Sequence, residues 1–385
     1  MGISVAIVGT GQFAGSFIPL FKAHPLVERL ALSDLDAAKL QAVSRRFEVN
    51  EIYPSLDAVC ASDVDAVVLM TQNWLHGPQA IQALEAGKHV YSAVPTGITV
   101  EEIARLVRTV EATGRIYMLG ETSYYYPAVI YCRQRYAAGD FGRIVYGEAE
   151  YYHDWSHGLY RVAQLRGGER WREFAGKPPM HYATHSTSQI LSVTGARMTH
   201  VSCLGFVDHH PDGLYGQHAN RWGNPFSNQT ALFRLSDGSI CRINEFRRIG
   251  HPGTVRMSLF GTAGSFEANA AGCMWLTADR AQCHRLDDEL APRGMITEWG
   301  RYESLARVHP VERLPREFAG LPNGHQGSHQ FLVDDFVRAC VEGRQPPNNV
   351  WQAARYALPG VIAHESACKG GELLEIPDFG DPPAP

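Results

Sequence analysis

Val5-Ala6-Ile7-Val8-Gly9-Thr10-Gly11-Gln12-Phe13-Ala14-Gly15 lies close to the start of the chain and decides how its first third is read. An apolar run of strand length leads into a G-x-G-x-x-A turn, and a helical pattern begins at once. In such a turn Gly9 permits the tight bend, Gly11 lets a pyrophosphate approach the backbone, and the small Ala14 allows close packing of helix on strand. Gln12 and Phe13 complete the stretch expected along a dinucleotide, whose phosphates would face the helix N-terminus. Asp34 closes the next apolar run, the position from which a carboxylate hydrogen-bonds the adenosine ribose hydroxyls. That carboxylate repels a 2'-phosphate and the neighbouring Leu35 offers no cation to hold one, so the expected cofactor is NAD rather than NADP.

Outward from this turn, the runs VAIVG, LALSD, AVVLM, HVYSA and RIYML alternate with amphipathic stretches such as residues 36–47 and 100–113. Strands spaced by helices predict a parallel sheet with crossover connections, a Rossmann domain over residues 1–122. Past Tyr126 a helix leads into longer alternating segments, IVYGEAEYYH, TALFRLSDGSICRINEF and VRMSLFGTAGSFEAN. Asp237-Gly238 and the glycines of GTAGS are hairpin turns in this pattern. Residues 123–385 are therefore expected to form a C-terminal α/β domain with an open, mostly antiparallel sheet, making the whole chain α/β. Residues 271–322 lack any period and predict a surface excursion, and helical patterns over 329–342 and 350–369 precede a Pro-rich tail.

A chain of 385 residues suits two domains. A formal charge of -5 and a pI near 6.4 give no basic surface for nucleic acid or an anionic membrane. The eight cysteines are scattered, with no C-x-x-C pair, and predict reduced thiols. After Met1 the chain enters a strand directly, and no apolar run reaches membrane-spanning length, so a cytoplasmic protein is expected.

The glycine turn, Asp34, the segment Thr71-Gln72-Asn73-Trp74-Leu75-His76 and Gly139-Asp140-Phe141-Gly142 together resemble the Gfo/Idh/MocA oxidoreductases over nearly the whole chain. The resemblance implies cofactor contacts at Thr71, Asn73, His76 and Pro95, and a C-terminal open sheet that mediates assembly into a homo-oligomer, a dimer or tetramer. Where most members carry Glu-Lys-Pro, this chain reads Ala93-Val94-Pro95. The lysine that helps move a hydroxyl proton is absent, which argues against simple alcohol dehydrogenation. Counting back from Gly195 aligns His185 with the family's catalytic histidine and His181 with its aspartate.

These departures resemble one branch, the NAD-dependent glycosidases of glycoside hydrolase family 109. The shared features are the Val-Pro, Tyr182-Ala183-Thr184-His185, the segment from Glu121 to Tyr125, Asn323-Gly324-His325 and Pro377-Asp378-Phe379. That branch has a glutamate in place of Ala93, which marks a different substrate specificity or a sister family. The chemistry implied is redox-neutral: a hydride leaves sugar C3, the ketone acidifies the C2 proton, the aglycone is expelled from C1, water adds and the hydride returns. It needs no carboxylate pair, but it needs proton carriers, for which histidine and tyrosine suit. On this resemblance His185, with His181 one turn away, serves the C3 hydroxyl, Tyr125 serves the C2 proton, and His153 and His325 assist at the leaving group.

Three H-x-x-x-H pairs (His153 and His157, His181 and His185, His325 and His329) would each share a helical face as metal ligands do, but no H-E-x-x-H or carboxylate pattern accompanies them and no metal is assigned. Arg161, Arg166, Arg170, Arg172 and Lys177 precede the His181 segment. Most fit a solvated loop paired with Glu169 and Glu173, while one or two, taken from Arg166, Arg170, Arg172 and Lys177, would suit an anionic hexoside such as a sulfoquinovoside. The alternatives are an NAD-dependent sugar or polyol dehydrogenase in which His185 suffices without the lysine, and a non-catalytic NAD-binding sensor.

Overall fold

The structure is a computed structural model that describes residues 2–383, and the chain divides into two compact units. Of the described residues, the first contains 2–130, 289–354 and 379–383; the second contains 131–288 and 355–378.

The core of the first unit is a six-stranded parallel sheet of β1 (Ile3–Val8), β2 (Val27–Ser33), β3 (Glu51–Tyr53), β4 (Ala66–Leu69), β5 (His89–Ser92) and β6 (Tyr117–Leu119), in the order β3-β2-β1-β4-β5-β6. Every residue of β1 and β4 is buried, which is why both read as continuous apolar runs rather than alternating ones. The crossover helices carry their own signals. Asp36 caps Ala37–Phe47 by accepting from the Lys39 N–H, and Thr99 caps Val100–Thr113 by accepting from that of Glu102. The latter helix buries Ile103, Leu106, Val107 and Val110 on one face and stops at left-handed Gly114.

The border between the units differs from the one the sequence predicts. Residues 289–354, expected with the C-terminal domain, pack in the first unit. Helix Ser328–Glu342 explains why. Its Phe331, Leu332, Val333, Phe336 and Val337 are fully buried, so it needs cover on more than one side. Tyr91 of β5 and Phe21 supply part of that cover, at ring distances of 5.6 and 6.4 Å from Phe336. His24 and Asp334 meet at 3.2 Å within the same core.

The second unit is built on a sheet of β7 (Ile144–Tyr152), β8 (Met198–Val207), β9 (Phe226–Leu235), β10 (Ile240–Phe246), β11 (Thr254–Gly261), β12 (Gly264–Asn269), β13 (Gly272–Thr277) and β14 (His284–Arg285). Its order is β14-β13-β12-β11-β7-β10-β9-β8, with Leu374–Glu375 added beyond β8. All pairings are antiparallel except β7 with β10. Asp237-Gly238 and the GTAGS glycines do turn hairpins, β9 to β10 and β11 to β12. Residues 271–322 are more ordered than their sequence suggests. β13 and β14 extend the sheet edge, and Trp275 is buried against Phe141 at 5.0 Å. Helix Thr184–Thr194 covers one face of the sheet, where Gly147 leaves room for it: a Cβ there would lie 3.3 Å from Ile190 Cδ1.

If Ser328–Glu342 is part of the first unit's core, truncating its central ring must cost what a core aromatic costs. Phe336→Ala is expected to destabilise the protein by about 3–5 kcal/mol, read as a lowered urea midpoint by circular dichroism. A surface-like change, below about 0.5 kcal/mol, would remove the helix from the core.

Candidate functional site

Two clusters of polar side chains stand out, one in each unit. In the first, the turn after β1 is sterically forced. Gly9 has φ +91°, and a Cβ there would sit 2.8 Å from the Met70 carbonyl oxygen after β4. At Gly11 the same Cβ would meet nothing within 4 Å, so the space above the loop is open to a pyrophosphate. The helix that follows is broken: a 3₁₀ turn at Ala14–Ser16 precedes Ile18–Ala23. The phosphates would therefore be held mainly by loop N–H groups rather than by the end of a long helix.

Asp34 stands at the end of β2. Its Oδ2 accepts from the Thr10 N–H and hydroxyl, both at 2.8 Å, and from Lys39 Nζ at 2.6 Å; its Oδ1 accepts from the Asp36 N–H. Burial alone would raise this carboxyl, but the Lys39 and Thr10 donors hold it below the usual carboxylate range. Lys39 thus places a cation beside Asp34, where Leu35 offers none. It lies on the first turn of the helix that Asp36 caps. Asn73, after β4, keeps a buried Oδ1 with no hydrogen-bond partner. An open cradle, a carboxylate at the ribose position and an unsatisfied buried acceptor together fit a dinucleotide. His76 is a brace here: its ring nitrogens lie 3.2 Å from the Pro95 carbonyl and 3.1 Å from that of Thr71, tying together the loops after β4 and β5.

The loop Asn323–Gly327 packs on the glycine turn. His325, Gln326 and Gly327 all have left-handed backbones, with φ of 45°, 56° and 91°. Asn323 holds the loop by donating to the Gly327 carbonyl at 3.0 Å. The His325 ring is 5.6 Å from Phe13, and that of buried His329 is 4.4 Å from Phe17. His325 Nδ1 and His329 Nε2 are 2.8 Å apart, and burial together with His325 lowers His329 to about 3.

Tyr125 is buried in the same unit, stacked on Phe331 at 5.0 Å, and its hydroxyl donates to Asp335, which Arg313 pairs at 2.5 Å. Burial and the Asp335 charge push the phenol well up, so it stays protonated and committed to a carboxylate. This is poor geometry for the proton-removing role that the resemblance suggested.

In the second unit His185 is buried in the first turn of helix Thr184–Thr194. Its ring lies 5.5 Å from Tyr151 and 5.4 Å from Tyr182. The Tyr151 hydroxyl is 2.7 Å from His153 Nδ1, and the Arg247 guanidinium sits 4.9 Å from the Tyr151 ring. Glu245, fully buried, accepts from Ser186 Oγ at 2.6 Å and Arg247 at 3.0 Å. Burial raises its carboxyl to about 7 against the pull of Arg247. Lys177 stands 4.5 Å over the Tyr182 ring, its ammonium lowered by burial and by Arg247 and Arg166. Burial, with Arg247, His157 and His185, lowers His153 to about 4.

The cluster thus brings together His185, His153 and Lys177 with Tyr151, Tyr182, Glu245 and Arg247. Glu245 lies on β10 and Arg247 just past its end, some sixty positions along the chain from His185, and no spacing rule points to them. His181 is placed elsewhere, its ring 5.0 Å from His364. Arg170 is exposed and forks onto Glu173 at 2.7 and 2.6 Å, and Arg172 donates to the Asp212 carbonyl at 2.7 Å. Of the histidine pairs, His325 and His329 bond to each other, His153 and His157 lie 6.3 Å apart, and among the described residues no three metal-binding side chains converge.

Two outcomes follow. Gly11→Val fills the open cradle and is expected to abolish NAD uptake by calorimetry while leaving the circular dichroism spectrum unchanged. His329 and His153 are neutral when folded down to about 3 and about 4, but bind protons near 6.5 when unfolded. Their contribution is therefore intact above about pH 6.5 and lost progressively as pH falls toward about 4 for His153 and about 3 for His329. The Tm should drop across that window, and His329→Gln should flatten the drop.

The model of the oxidoreductase family with an NAD-binding Rossmann fold, GFO_IDH_MocA, matches residues 3–121, and that of the GFO/IDH/MocA C-terminal domain matches residues 129–267. A glycosyl hydrolase family 109 protein of Streptomyces niveus is 25% identical over 98% of this chain and 77% of its own length. A protein of the same name from Shewanella putrefaciens is 28% identical over 98% and 85%. Among solved structures, levoglucosan dehydrogenase in complex with NADH and levoglucosan superposes with a TM-score of 0.76 at 20% identity, over 98% of this chain and all of the other. Scyllo-inositol dehydrogenase from Lactobacillus casei with bound NAD(H) and scyllo-inositol does so at 0.70 and 18%, over 97% and 99%. With an NAD-binding Rossmann sheet at its start and the matching C-terminal domain behind it, this chain belongs to the Gfo/Idh/MocA oxidoreductase family.

Proposed function

We propose that this protein is an NAD-dependent glycosidase that cleaves a hexoside without net redox change. The observation that carries the reading is the cluster around His185. It gathers imidazoles and phenols, which move protons near neutrality. Its carboxylate, Glu245, is buried and committed to Ser186 and Arg247, unlike the accessible pair of ordinary glycosidases. The homology to proteins named glycosyl hydrolase family 109 supports it, as does Ala93-Val94-Pro95 in place of a lysine-bearing turn.

NAD+, when bound, supplies a hydride acceptor that returns the hydride at the end of the cycle. Gly9, Gly11, Asp34 and Asn73 would hold it. His185 takes the proton of the C3 hydroxyl, and the ketone so formed acidifies C2. Glu245 and Arg247 are positioning residues that fix the electrostatic surroundings of His185 and Tyr151. Of the basic residues before His181, Lys177 stands at the cluster, whereas Arg170 and Arg172 are engaged locally. Nothing in that arrangement favours a sulfonate over a neutral sugar, so the substrate class is a hexoside.

A second reading, a sugar dehydrogenase, is favoured by solved structures bearing dehydrogenase names. Incubation with p-nitrophenyl hexosides in deuterium oxide separates the two. The glycosidase releases nitrophenol and free sugar labelled at C2, with no net NADH. Stoichiometric NADH without cleavage would install the dehydrogenase instead, and His185→Ala should lower either activity by about 10²–10⁴-fold.

We also infer that the protein is a homo-oligomer. Leu204, Phe206, Leu232 and Ile240 on β8, β9 and β10 are 53–64% exposed, a row of apolar side chains on one sheet. Light scattering at micromolar concentration should give a mass of at least two chains, and Phe206→Glu should reduce it.

A further inference from the structure

Tyr151 and His153 have no assigned part in the reaction beyond the leaving-group role offered to His153. Tyr151 lies on the same face of β7 as Gly147 and Ala149, the face that helix Thr184–Thr194 covers, and is half-buried rather than enclosed. Three features meet at its ring. His153 Nδ1 is 2.7 Å from the hydroxyl oxygen, the Arg247 guanidinium is 4.9 Å from the ring centre, and the His185 ring is 5.5 Å away. Arg247 is itself anchored, donating to Glu245 at 3.0 Å and to the Phe246 carbonyl at 3.1 Å, so its charge has a fixed position. His153 is neutral over the physiological range. A neutral imidazole carries one N–H, and with that hydrogen on Nδ1 it donates to the Tyr151 oxygen. In that tautomer the imidazole N–H, together with a fixed cation beside the ring, stabilises negative charge on the phenol oxygen.

We propose that Tyr151, oriented by His153 and Arg247, is the group that removes the proton from sugar C2, the place the sequence resemblance gave to Tyr125. The inference rests on the glycosidase reading. In the step, the Tyr151 phenolate oxygen takes the C2 proton and becomes a phenol. The C2–H electron pair becomes the C1–C2 double bond, and the C1–O bond breaks with its electron pair leaving on the aglycone oxygen. One negative charge passes from phenolate to aglycone, and the electron sink is a ketone at C3, the oxidation level that NAD+ would supply when bound. Tyr125 is unsuited to this, since its hydroxyl is buried and donates to Asp335.

The test uses full-length protein loaded with NAD+ and p-nitrophenyl hexosides in deuterium oxide. It follows cofactor reduction on rapid mixing, C2 labelling by NMR, and nitrophenolate release. Tyr151→Phe keeps the ring and loses only the oxygen. It is expected to retain rapid cofactor reduction while C2 labelling and release fall together by about 10²–10⁴-fold. His153→Ala, which removes the donor, should show the same split at about 10²-fold, and Tyr125→Phe should not show it. C2 labelling by Tyr151→Phe at the wild-type rate would overturn the assignment. So would loss of cofactor reduction along with labelling, which would make the residue one of binding or folding. Wild-type protein that cleaves no glycoside and labels no C2 overturns the glycosidase reading, and this inference with it.

Discussion

The close approach of Gly9 to the Met70 carbonyl is the contact on which the first unit turns. It exists because β1 and β4 are hydrogen-bonded neighbours at the point where the strand order reverses. From β1 the sheet runs to β2 and β3 on one side and to β4, β5 and β6 on the other. The loops leaving β1 and β4 therefore diverge, and a crevice opens at the strand ends. Asp34 reaches it from β2 and Asn73 from β4, so every group proposed to hold the dinucleotide inherits its place from that reversal. A side chain at residue 9 would push against backbone rather than against a flexible neighbour, which leaves no cheap relaxation.

Around this crevice the later part of the chain supplies the cover. Helix Ser328–Glu342 is held by Phe21, Tyr91 and the His24–Asp334 contact, and it carries His329 and Asp335 into the first unit. The preceding loop passes through three left-handed residues, an arrangement that only a well-anchored segment sustains. The anchors are Asn323 and the ring contacts with Phe13 and Phe17. The low basicity of His329 follows from the same packing, because an imidazole buried among aromatic rings loses the hydration of its charged form.

The second unit works by a different economy. Glu245, near the end of β10, and Arg247, just past it, are buried charges, and charges so placed persist only when paired and hydrogen-bonded. The pair does little for stability beyond balancing its own desolvation, but it presents a cation of fixed position to Tyr151 and a carboxylate to Ser186 beside His185. Such preorganised charge suits proton transfers from carbon, where negative charge must be accommodated as it develops.

The parallel sheet, its glycine turn, Asp34, and the hairpins at Asp237-Gly238 and GTAGS were all legible in the sequence, because each depends on residues within about ten positions of one another and on local stereochemistry. Residues 271–322 hid β13 and β14 because an edge strand only two to six residues long carries too short a pattern to stand out. The resemblance gave roles to His185 and Tyr125 alike, but the bond from Tyr125 to Asp335 joins residues 210 positions apart and shows in no local pattern. Only the tertiary structure decided that helix Ser328–Glu342 belongs with the first sheet, and that Tyr151, Glu245 and Arg247 gather near His185. Sequence periodicity states that a face must be buried and a charge must be paired; which distant surface does the burying, and which distant residue does the pairing, is settled by packing alone.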